Sequence, residues 1–372
     1  MLKRVLFIGS AANAVGGIAS IFAMLSSALR CEPNVSFLNV ANPSSNWKGI
    51  LSRRVCVWAV LVRCCLLLRG GTVVFFSSAY NSFWEKCGWT VVARLCGARP
   101  IMVMVDGNFP KFFAGLASPL KAIARCAARL TARLAVQSSV WDAYYRSIFP
   151  GVTTAIVRGG VDTDFFSPAP AAILAGTTTK ILYVGWMIED KGIHDLLNAA
   201  AILHREGMFL TVRLVGPAFG RDVEIRRRIA ALGLSGVVHY VGVAPSRESL
   251  QREYRGSDVF VFPSHYEGFP VALLEGLSSG LACVATRVGG CPEILDQGGA
   301  GLLVEPQAPE LLASALRRLI EDGALRSELG RAARRRALTH YTMVRSLESY
   351  CELAGIPMVR PNPEASALAP AN

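Results

Sequence analysis

The segment "DVFVFPSHYEGFPVALLEGL", residues 258–277, joins a short apolar run to a helical pattern through a turn. The run 258–263 is apolar on both faces of a strand, and "VALLEGL" has the spacing of a helix. Pro270 suits the first turn of this helix, because proline has no N–H and a fixed φ. The segment therefore predicts a buried strand that leads through a loop into a helix.

The same alternation of strands and helices runs along the whole chain. Further strand-like runs lie at 4–9, 35–40, 72–76, 100–105, 133–137, 180–185, 210–216, 237–242, 281–286 and 300–305. Strands that are apolar on both faces and are separated by helices form parallel sheets covered on both sides. Two such series predict an α/β fold of two doubly wound, Rossmann-like domains. Because ligands bind beyond the carboxyl ends of such strands, the loops after them are expected to face a central cleft.

The length of 372 residues allows two domains with a full core each. We expect the N-terminal domain to cover 1–166 and to be completed by a C-terminal helix over 341–357. The segment 167–179 is rich in Pro, Ala, Thr and Gly and is the predicted linker. The second domain is then 180–340, and the tail 361–372 is predicted to be disordered.

The charge of the chain is concentrated in its first half. Residues 1–170 contain 18 Lys and Arg against 6 Asp and Glu, whereas residues 171–372 contain 21 of each kind. Such an excess attracts an anionic partner, such as lipid headgroups, a phosphorylated acceptor or nucleic acid. No aromatic–basic recognition pattern for nucleic acid stands out, and the apolar segment from Arg53 to Arg69 favours a membrane surface. An ordinary basic surface without a partner is the alternative.

The sequence predicts a cytoplasmic protein, at the inner face of the cytoplasmic membrane. The first residues show no signal-peptide pattern. The longest apolar stretch, 55–68, is interrupted by Arg63 and is shorter than the roughly twenty residues of a membrane span. The ten cysteines show no C-x-x-C spacing, which suits a reducing compartment.

Two carboxylates frame the turn in the opening segment. Glu267 precedes Gly268, which permits a close approach of the backbone to a ligand, and Glu275 lies inside the helix. The free N–H groups and the dipole at the start of a helix make a seat for phosphate. The alternative is an ordinary amphipathic helix with two solvated Glu side chains. The surrounding motifs have to decide between a ligand site and such a helix.

Those motifs resemble the family 4 retaining glycosyltransferases, also called glycosyl transferases group 1. The segments that carry the resemblance are 181–197, 237–286 and 288–295, with a looser likeness at 16–20, 135–145 and 156–166. Members of this family have the GT-B fold and use nucleotide sugars. The resemblance implies that Glu275 binds the ribose of the donor and that Glu267 lies against its sugar. The N–H groups of Gly268 and Phe269, just before Pro270, would reach the sugar hydroxyls and the phosphate.

The resemblance also implies a phosphate site that works without a metal ion or another cofactor. Lys191, in "EDKG", matches the lysine that holds the donor diphosphate and neutralises the leaving group. Gly16 and Gly17 match the glycine-rich loop after the first strand, which approaches the phosphates and the acceptor. The family usually has an arginine where this chain has Trp186, so another basic side chain takes its place or phosphate binding is weaker.

A second departure lies after the fourth strand, where the family usually has a histidine near the sugar. This chain has Asp106 there, and its five histidines all lie in the second half. Asp106 is expected to accept a hydrogen bond from a sugar hydroxyl or to orient the acceptor. A turn-forming Asp-Gly is the equally good alternative. The pair Asp162 and Asp164 is read as part of the segment between the domains and not as a metal site, and His265 either faces the sugar or is structural.

The predicted function is hexosyl transfer from a UDP- or GDP-linked sugar to a saccharide or lipid-linked saccharide. The resemblance implies retention of configuration, and the basic first half favours a role in capsule, exopolysaccharide or lipopolysaccharide biosynthesis with peripheral membrane contact. The alternatives are a nucleotide-sugar epimerase, a sugar phosphorylase or an inactive nucleotide-sugar-binding homologue. An NAD oxidoreductase is disfavoured, because "GSAANAVGG" is not the dinucleotide fingerprint.

Overall fold

The computed structural model describes residues 4–9, 17–40, 58–59, 62, 69–169 and 178–357. The chain divides into two compact units, Met1–Gly159 with Val344–Ala369, and Gly160–Met343. The division falls a few residues before the predicted linker. Most of that linker, Gly16, most of the segment between Arg53 and Arg69, and the tail 361–372 lie outside the described residues.

The described part of the first unit contains one parallel sheet with strands in the order β2-β1-β3-β4-β5-β6. Its strands are β1 Val5–Gly9, β2 Val35–Asn39, β3 Thr72–Ser77, β4 Arg99–Met104, β5 Arg133–Val136 and β6 Thr154–Ile156. Its helices are α1 Gly17–Ala28, α2 Asn81–Leu95, α3 Phe109–Ala114, α4 Ser118–Arg129 and α5 Ser139–Ile148. The strand pattern did not predict β6, because it is three residues long and only partly buried.

The described part of the second unit contains another parallel sheet, in the order β12-β11-β10-β7-β8-β9. Its strands are β7 Thr179–Val184, β8 Leu210–Val215, β9 Val238–Gly242, β10 Val259–Phe262, β11 Ala282–Thr286 and β12 Leu302–Val304. Its helices are α6 Ile193–Arg205, α7 Asp222–Ala231, α8 Arg247–Arg255, α9 Val271–Ser278, α10 Cys291–Ile294, α11 Pro309–Glu321 and α12 Gly323–His340, with 3₁₀ turns at Glu189–Lys191 and Asp296–Gly298.

The central strand β10 shows why its sequence is apolar on both faces. Val259 and Val261 pack into one hydrophobic layer, and Phe260 and Phe262 pack into the layer on the opposite face of the sheet. Successive side chains of a strand alternate between the two faces, and helices cover both. The doubly wound sheet predicted from the alternation of strands and helices is therefore confirmed.

The last helix of the described chain, α13, spans Met343–Ala354 within the predicted range 341–357. Its side chains join the core of the first unit: Tyr350 is fully buried, with its ring centroid 6.1 Å from that of Phe76. The Ser346 hydroxyl donates to the carbonyl of Arg158 at 2.9 Å. The first unit is therefore built from both ends of the chain.

Candidate functional site

The turn that carries Glu267 is held by backbone packing at the carboxyl end of β10. A Cβ atom at Gly289 would lie 1.9 Å from the Glu267 carbonyl oxygen, and Gly289 has a φ of +49°. The N–H of the next residue, Gly290, donates to the Gly268 carbonyl at 3.0 Å. Only glycine fits such a close approach. The "VGG" segment after β11 therefore fixes where the turn presents Glu267.

Lys191 reaches the same turn from the loop after β7. Its Nζ lies 2.5 Å from Oε1 of Glu267, and the two side chains are 25% and 11% exposed. The following residue, Gly192, is left-handed, and a Cβ there would lie 1.9 Å from the carbonyl oxygen of Pro263. The structure therefore joins two residues that the sequence predicted separately. An ammonium group has three N–H donors, so a bond to Glu267 leaves two for a phosphate.

His265 helps to anchor this turn. Its Nε2 lies 2.7 Å from Oδ2 of Asp195 on α6, and the imidazole is 9% exposed. Its backbone N–H donates to the carbonyl of Asp190 at 2.8 Å. These contacts favour the structural alternative for His265, because the turn is tied through it to α6 and to the Lys191 loop.

Glu275 lies in α9 beside a buried tyrosine. The hydroxyl of Tyr254 lies 2.8 Å from Oε2 of Glu275 and 3.1 Å from the carbonyl oxygen of Ala272. Burial raises the pKa of Glu275 to about 7, while the hydrogen bond from Tyr254 and the charge of Arg247 act in the opposite direction. Without a ligand, the Glu275 carboxyl is therefore partly protonated near neutral pH.

The amino end of α9 has no side-chain cap. Pro270 is the N-cap residue and so lies just before the first helical turn, and in the described part of the chain no side chain caps the first N–H groups. Phe269 is 6% exposed and its ring packs against that of Tyr341, with the ring centroids 5.8 Å apart. Only the backbone of Phe269 is thus suited to meet a ligand, as the resemblance implies. Uncapped N–H groups and the helix dipole favour an anion.

Arg247 is a charged residue near Glu275 that sequence reasoning missed. It begins α8, its guanidinium lies 4.0 Å from the ring centroid of Phe165, and its Nη2 lies 2.8 Å from Oδ2 of Asp162. The other carboxylate oxygen of Asp162 accepts the N–H of Phe165 at 3.1 Å. Asp162 is therefore engaged in its own loop. No group of three or more potential metal ligands occurs within the described ranges.

Trp186 stands where the resemblance places an arginine. Its carbonyl accepts the Tyr183 hydroxyl at 2.8 Å, and its ring meets that of Phe219 edge-to-face with centroids 5.3 Å apart. The two side chains are 37% and 62% exposed, and Phe219 has a left-handed φ of 52°. The loops after β7 and β8 thus present an exposed aromatic pair.

Asp106 lies in the first unit, after β4. Its Oδ2 accepts the N–H of Ala79, and its Oδ1 accepts the N–H of Asn108, both at 2.8 Å. These bonds support the turn-forming alternative, and a contact of Asp106 with a substrate stays a prediction. Gly17 is the first residue of α1. The structure thus brings Lys191, Glu267 and the start of α9 together in the second unit, while Asp106 and Gly17 belong to the first.

Tyr254, Arg247 and Asp195 share one reason for being missed. Each acts on a residue more than twenty positions away or on another element, so no local spacing indicates it. Gly289 is different, because its "VGG" segment was part of the resemblance, and only its contact with the turn was not foreseen.

Several known proteins resemble parts of this chain in sequence. Residues 170–336 match the model of the family described as glycosyl transferases group 1. A D-inositol 3-phosphate glycosyltransferase of Arthrobacter is 33% identical over 56% of this chain and 51% of its own length. A glycogen synthase of Mycobacterium tuberculosis is 29% identical over 52% of this chain and 46% of its own. The chain spans about half the length of the curated relatives it matches.

Two solved structures resemble nearly the whole chain. Sucrose-phosphate synthase from Thermosynechococcus elongatus gives a TM-score of 0.78 at 20% identity, covering 94% of this chain and 98% of its own. HepE from Anabaena, solved in complex with UDP, gives a TM-score of 0.77 at 17% identity, covering 95% of this chain and 99% of its own. At this identity the likeness concerns the fold, and it confirms the predicted GT-B fold class.

Proposed function

Residues 170–336 belong to the glycosyl transferases group 1 family, and from this premise we propose that the protein transfers a sugar from a UDP- or GDP-linked donor. The observation that carries the proposal is the pair of Lys191 and Glu267, 2.5 Å apart, beside the uncapped start of α9. A cation and free N–H groups suit a diphosphate, and a carboxylate suits sugar hydroxyls. Glu275, on the same helix, takes the ribose.

The proposed reaction retains the configuration of the sugar and uses no metal ion. The bond between the anomeric carbon and the phosphate oxygen breaks, and the acceptor oxygen attacks from the same face. The acceptor proton goes to the leaving phosphate, so no enzyme nucleophile is required. Lys191 offsets the negative charge that grows on the diphosphate, while Glu267 and the N–H groups of Gly268 and Phe269 hold the sugar in place.

The proposed acceptor is a saccharide or lipid-linked saccharide, in the assembly of a capsule, exopolysaccharide or lipopolysaccharide. The support is the charge of the chain, because the whole net positive charge belongs to residues 1–170. A cationic first unit attracts a phosphate-bearing lipid and the anionic inner face of the cytoplasmic membrane. No helix within the described ranges is both long and apolar enough to cross a membrane.

A nucleotide-sugar-binding protein without transferase activity is the second candidate. Two observations favour it: Trp186 replaces a phosphate-binding arginine, and both oxygens of Asp106 already accept backbone N–H groups. An epimerase or a sugar phosphorylase on the same scaffold would differ in the reaction: an epimerase acts on the nucleotide sugar without an acceptor, and a phosphorylase moves the sugar between a saccharide and inorganic phosphate.

A thermal-shift panel with UDP, GDP, UDP-glucose and GDP-mannose tests the proposal, followed by assay of the released nucleotide and of the glycosylated product. Ligands that bind the native state raise its melting temperature. We expect at least one nucleotide sugar to stabilise the protein, and Glu267→Gln to lower turnover by about 100-fold or more. Glu305→Gln, at a side chain that is 62% exposed, is the control and should retain full turnover.

The outcomes separate the candidates. Binding without any turnover identifies the inactive homologue, and nucleotide release without a glycosylated acceptor indicates an epimerase or hydrolytic activity. If no nucleotide or nucleotide sugar stabilises the protein, the proposed function is wrong.

A further inference from the structure

Two neighbouring helices of the first unit expose their largest aliphatic side chains. On α2, Val91 is 39% and Leu95 is 82% exposed. On α4, Leu120 is 42% and Ile123 is 55% exposed. The buried residues of α4 are three alanines, at positions 124, 127 and 128. A surface helix normally turns its larger apolar residues towards the core, and α4 does the reverse.

The two helices lie side by side on one face of the sheet. The chain passes through α2 between β3 and β4 and through α4 between β4 and β5, and these strands are adjacent and parallel. Successive crossovers of this kind have the same hand, and α2 and α4 do pack against each other. Their exposed aliphatic residues therefore belong to one surface. We call the surface formed by Val91, Leu95, Leu120 and Ile123 the aliphatic face.

Apart from the ion pair of Glu85 with Lys86 on α2, the charges on these helices are positive. Arg94 lies on α2, and Lys121, Arg125 and Arg129 lie on α4. Lys121 and Arg125 donate to the carbonyl oxygens of Ala114 and Ile148 at 2.9 and 3.0 Å. No described carboxylate pairs with any of the four cations.

The sequence around these helices is almost free of acidic residues. Between positions 81 and 141 there are eight Lys and Arg and two acidic residues, Glu85 and Asp106. Glu85 pairs with Lys86, and Asp106 lies after β4, where it accepts two backbone N–H groups. The positive charge of α2 and α4 is therefore left for an external partner.

We propose that the aliphatic face and its four cations dock onto an anionic lipid surface. Aliphatic side chains gain free energy by entering the boundary between headgroups and acyl chains, and each cation gains by approaching anionic headgroups. An acidic protein or a nucleic acid would use the cations but would leave the exposed Leu and Ile in contact with charge. The inference rests on exposure and charge and not on transferase activity, and it names the surface for the membrane contact proposed above.

Vesicle sedimentation of the full-length protein tests this inference. Vesicles of phosphatidylcholine alone are compared with vesicles that contain about 30 mol% phosphatidylglycerol. The anionic headgroups of the second kind attract each cation that comes near the membrane surface. We expect binding to the anionic vesicles that weakens at high salt. The double variant Arg94→Gln/Arg129→Gln should lower the affinity by about 25-fold. The double variant Leu95→Ser/Ile123→Ser should lower it by about tenfold or more.

Matched controls come from the second unit, where Phe209 and Val223 are 74% and 68% exposed. Phe209→Ser/Val223→Ser removes as much exposed apolar surface and should bind vesicles like the parent protein. Thermal shift with UDP and GDP, compared between each variant and the parent, shows whether the variants stay folded. Vesicle binding in a protein that binds no nucleotide would refute the proposed function and leave this inference standing.

Three results would overturn the inference. The first is equal binding to neutral and anionic vesicles. The second is unchanged vesicle binding by both double variants. The third is salt-dependent binding to heparin or duplex DNA without any binding to vesicles, which would make the surface a general polyanion site.

Discussion

At the scale of a residue, Glu275 combines a predicted binding role with an unusual ionisation. Its pKa of about 7 in the folded protein is above the ordinary 4.5, so the folded state binds more protons than the unfolded state between these two values. The stability contributed by the protonated carboxyl is full below about pH 4.5 and is lost as pH rises through about 7. Burial of the carboxylate is the physical cause.

We therefore expect Glu275→Gln to flatten the dependence of the melting temperature on pH between 5 and 8, because glutamine does not ionise. At pH 8 the variant should melt at a higher temperature than the parent. The increase should be about 2–4 °C for each kcal/mol gained in the free energy of unfolding. Its affinity for a nucleotide sugar should fall, because ribose hydroxyls bond best to a carboxylate.

The affinity of the parent protein itself should rise about tenfold from pH 6 to pH 8, because protonation competes with ribose binding. A nucleotide sugar is the right probe, since its diphosphate diester does not titrate in this range. Calorimetric titration at the two pH values measures the change. A pH-independent affinity would show that the ionised Glu275 does not hold the ribose.

Trp186 is one of the two positions where the sequence departs from the pattern of the family that it resembles. Its exposed ring beside Phe219 offers no positive charge to a diphosphate. Trp186→Arg should therefore raise the affinity for UDP or GDP by about tenfold, the range of a charge-assisted hydrogen bond. The gain should be absent with uridine or guanosine, which lack phosphate. An equal gain with nucleoside and nucleotide would mean that the loop does not face the diphosphate.

At the scale of an element, the loop after β11 is what positions the Glu267 turn. Gly289→Ala would place a Cβ within 1.9 Å of the Glu267 carbonyl and would strain a left-handed backbone. We expect turnover to fall by about 100-fold with a modest loss of stability. Gly233→Ala is the matched control, because Gly233 also has a positive φ of +73° but no atom within 4 Å of its added Cβ.

In the control variant Gly233→Ala, the left-handed backbone costs about 1 kcal/mol, but the added Cβ collides with nothing. This variant should therefore retain its turnover. Steady-state kinetics and thermal melting of the two variants separate the two effects. Equal losses of turnover in both would attribute the effect of Gly289→Ala to general destabilisation.

The elements themselves were largely predictable, for a reason visible in β10. A strand buried on both faces must be apolar at every position, and Val259 to Phe262 satisfy this. Short and half-exposed strands such as β6 leave no such signal. The contacts of the site depend on residues far apart in the chain: Tyr254 reaches Glu275 from α8, and Lys191 reaches Glu267 across 76 positions. Local spacing contains no information on such pairs.

At the scale of the whole molecule, the two units have separate hydrophobic cores. The described core residues of the second unit all lie between Val161 and Tyr341. Those of the first unit come from residues 5–157, from α13 and from Ile356, two residues after the end of α13. Loss of α13 contacts should therefore destabilise the first unit and leave nucleotide binding by the second unit intact.

Tyr350 on α13 gives the sharpest test of this separation. Its ring is fully buried against Phe76, and its hydroxyl is buried without a hydrogen-bond partner in the described part of the chain. Tyr350→Ala should cost the first unit about 3–5 kcal/mol, as for other large aromatic residues in cores. Tyr350→Phe should be neutral or stabilising, because it removes an unsatisfied hydroxyl. Thermal unfolding of both variants is measured with and without UDP. We expect the melting temperature of the first unit to fall only for Tyr350→Ala, and the increase in melting temperature caused by UDP to stay the same in both variants. A loss of the UDP-dependent increase would mean that the donor site depends on the core of the first unit.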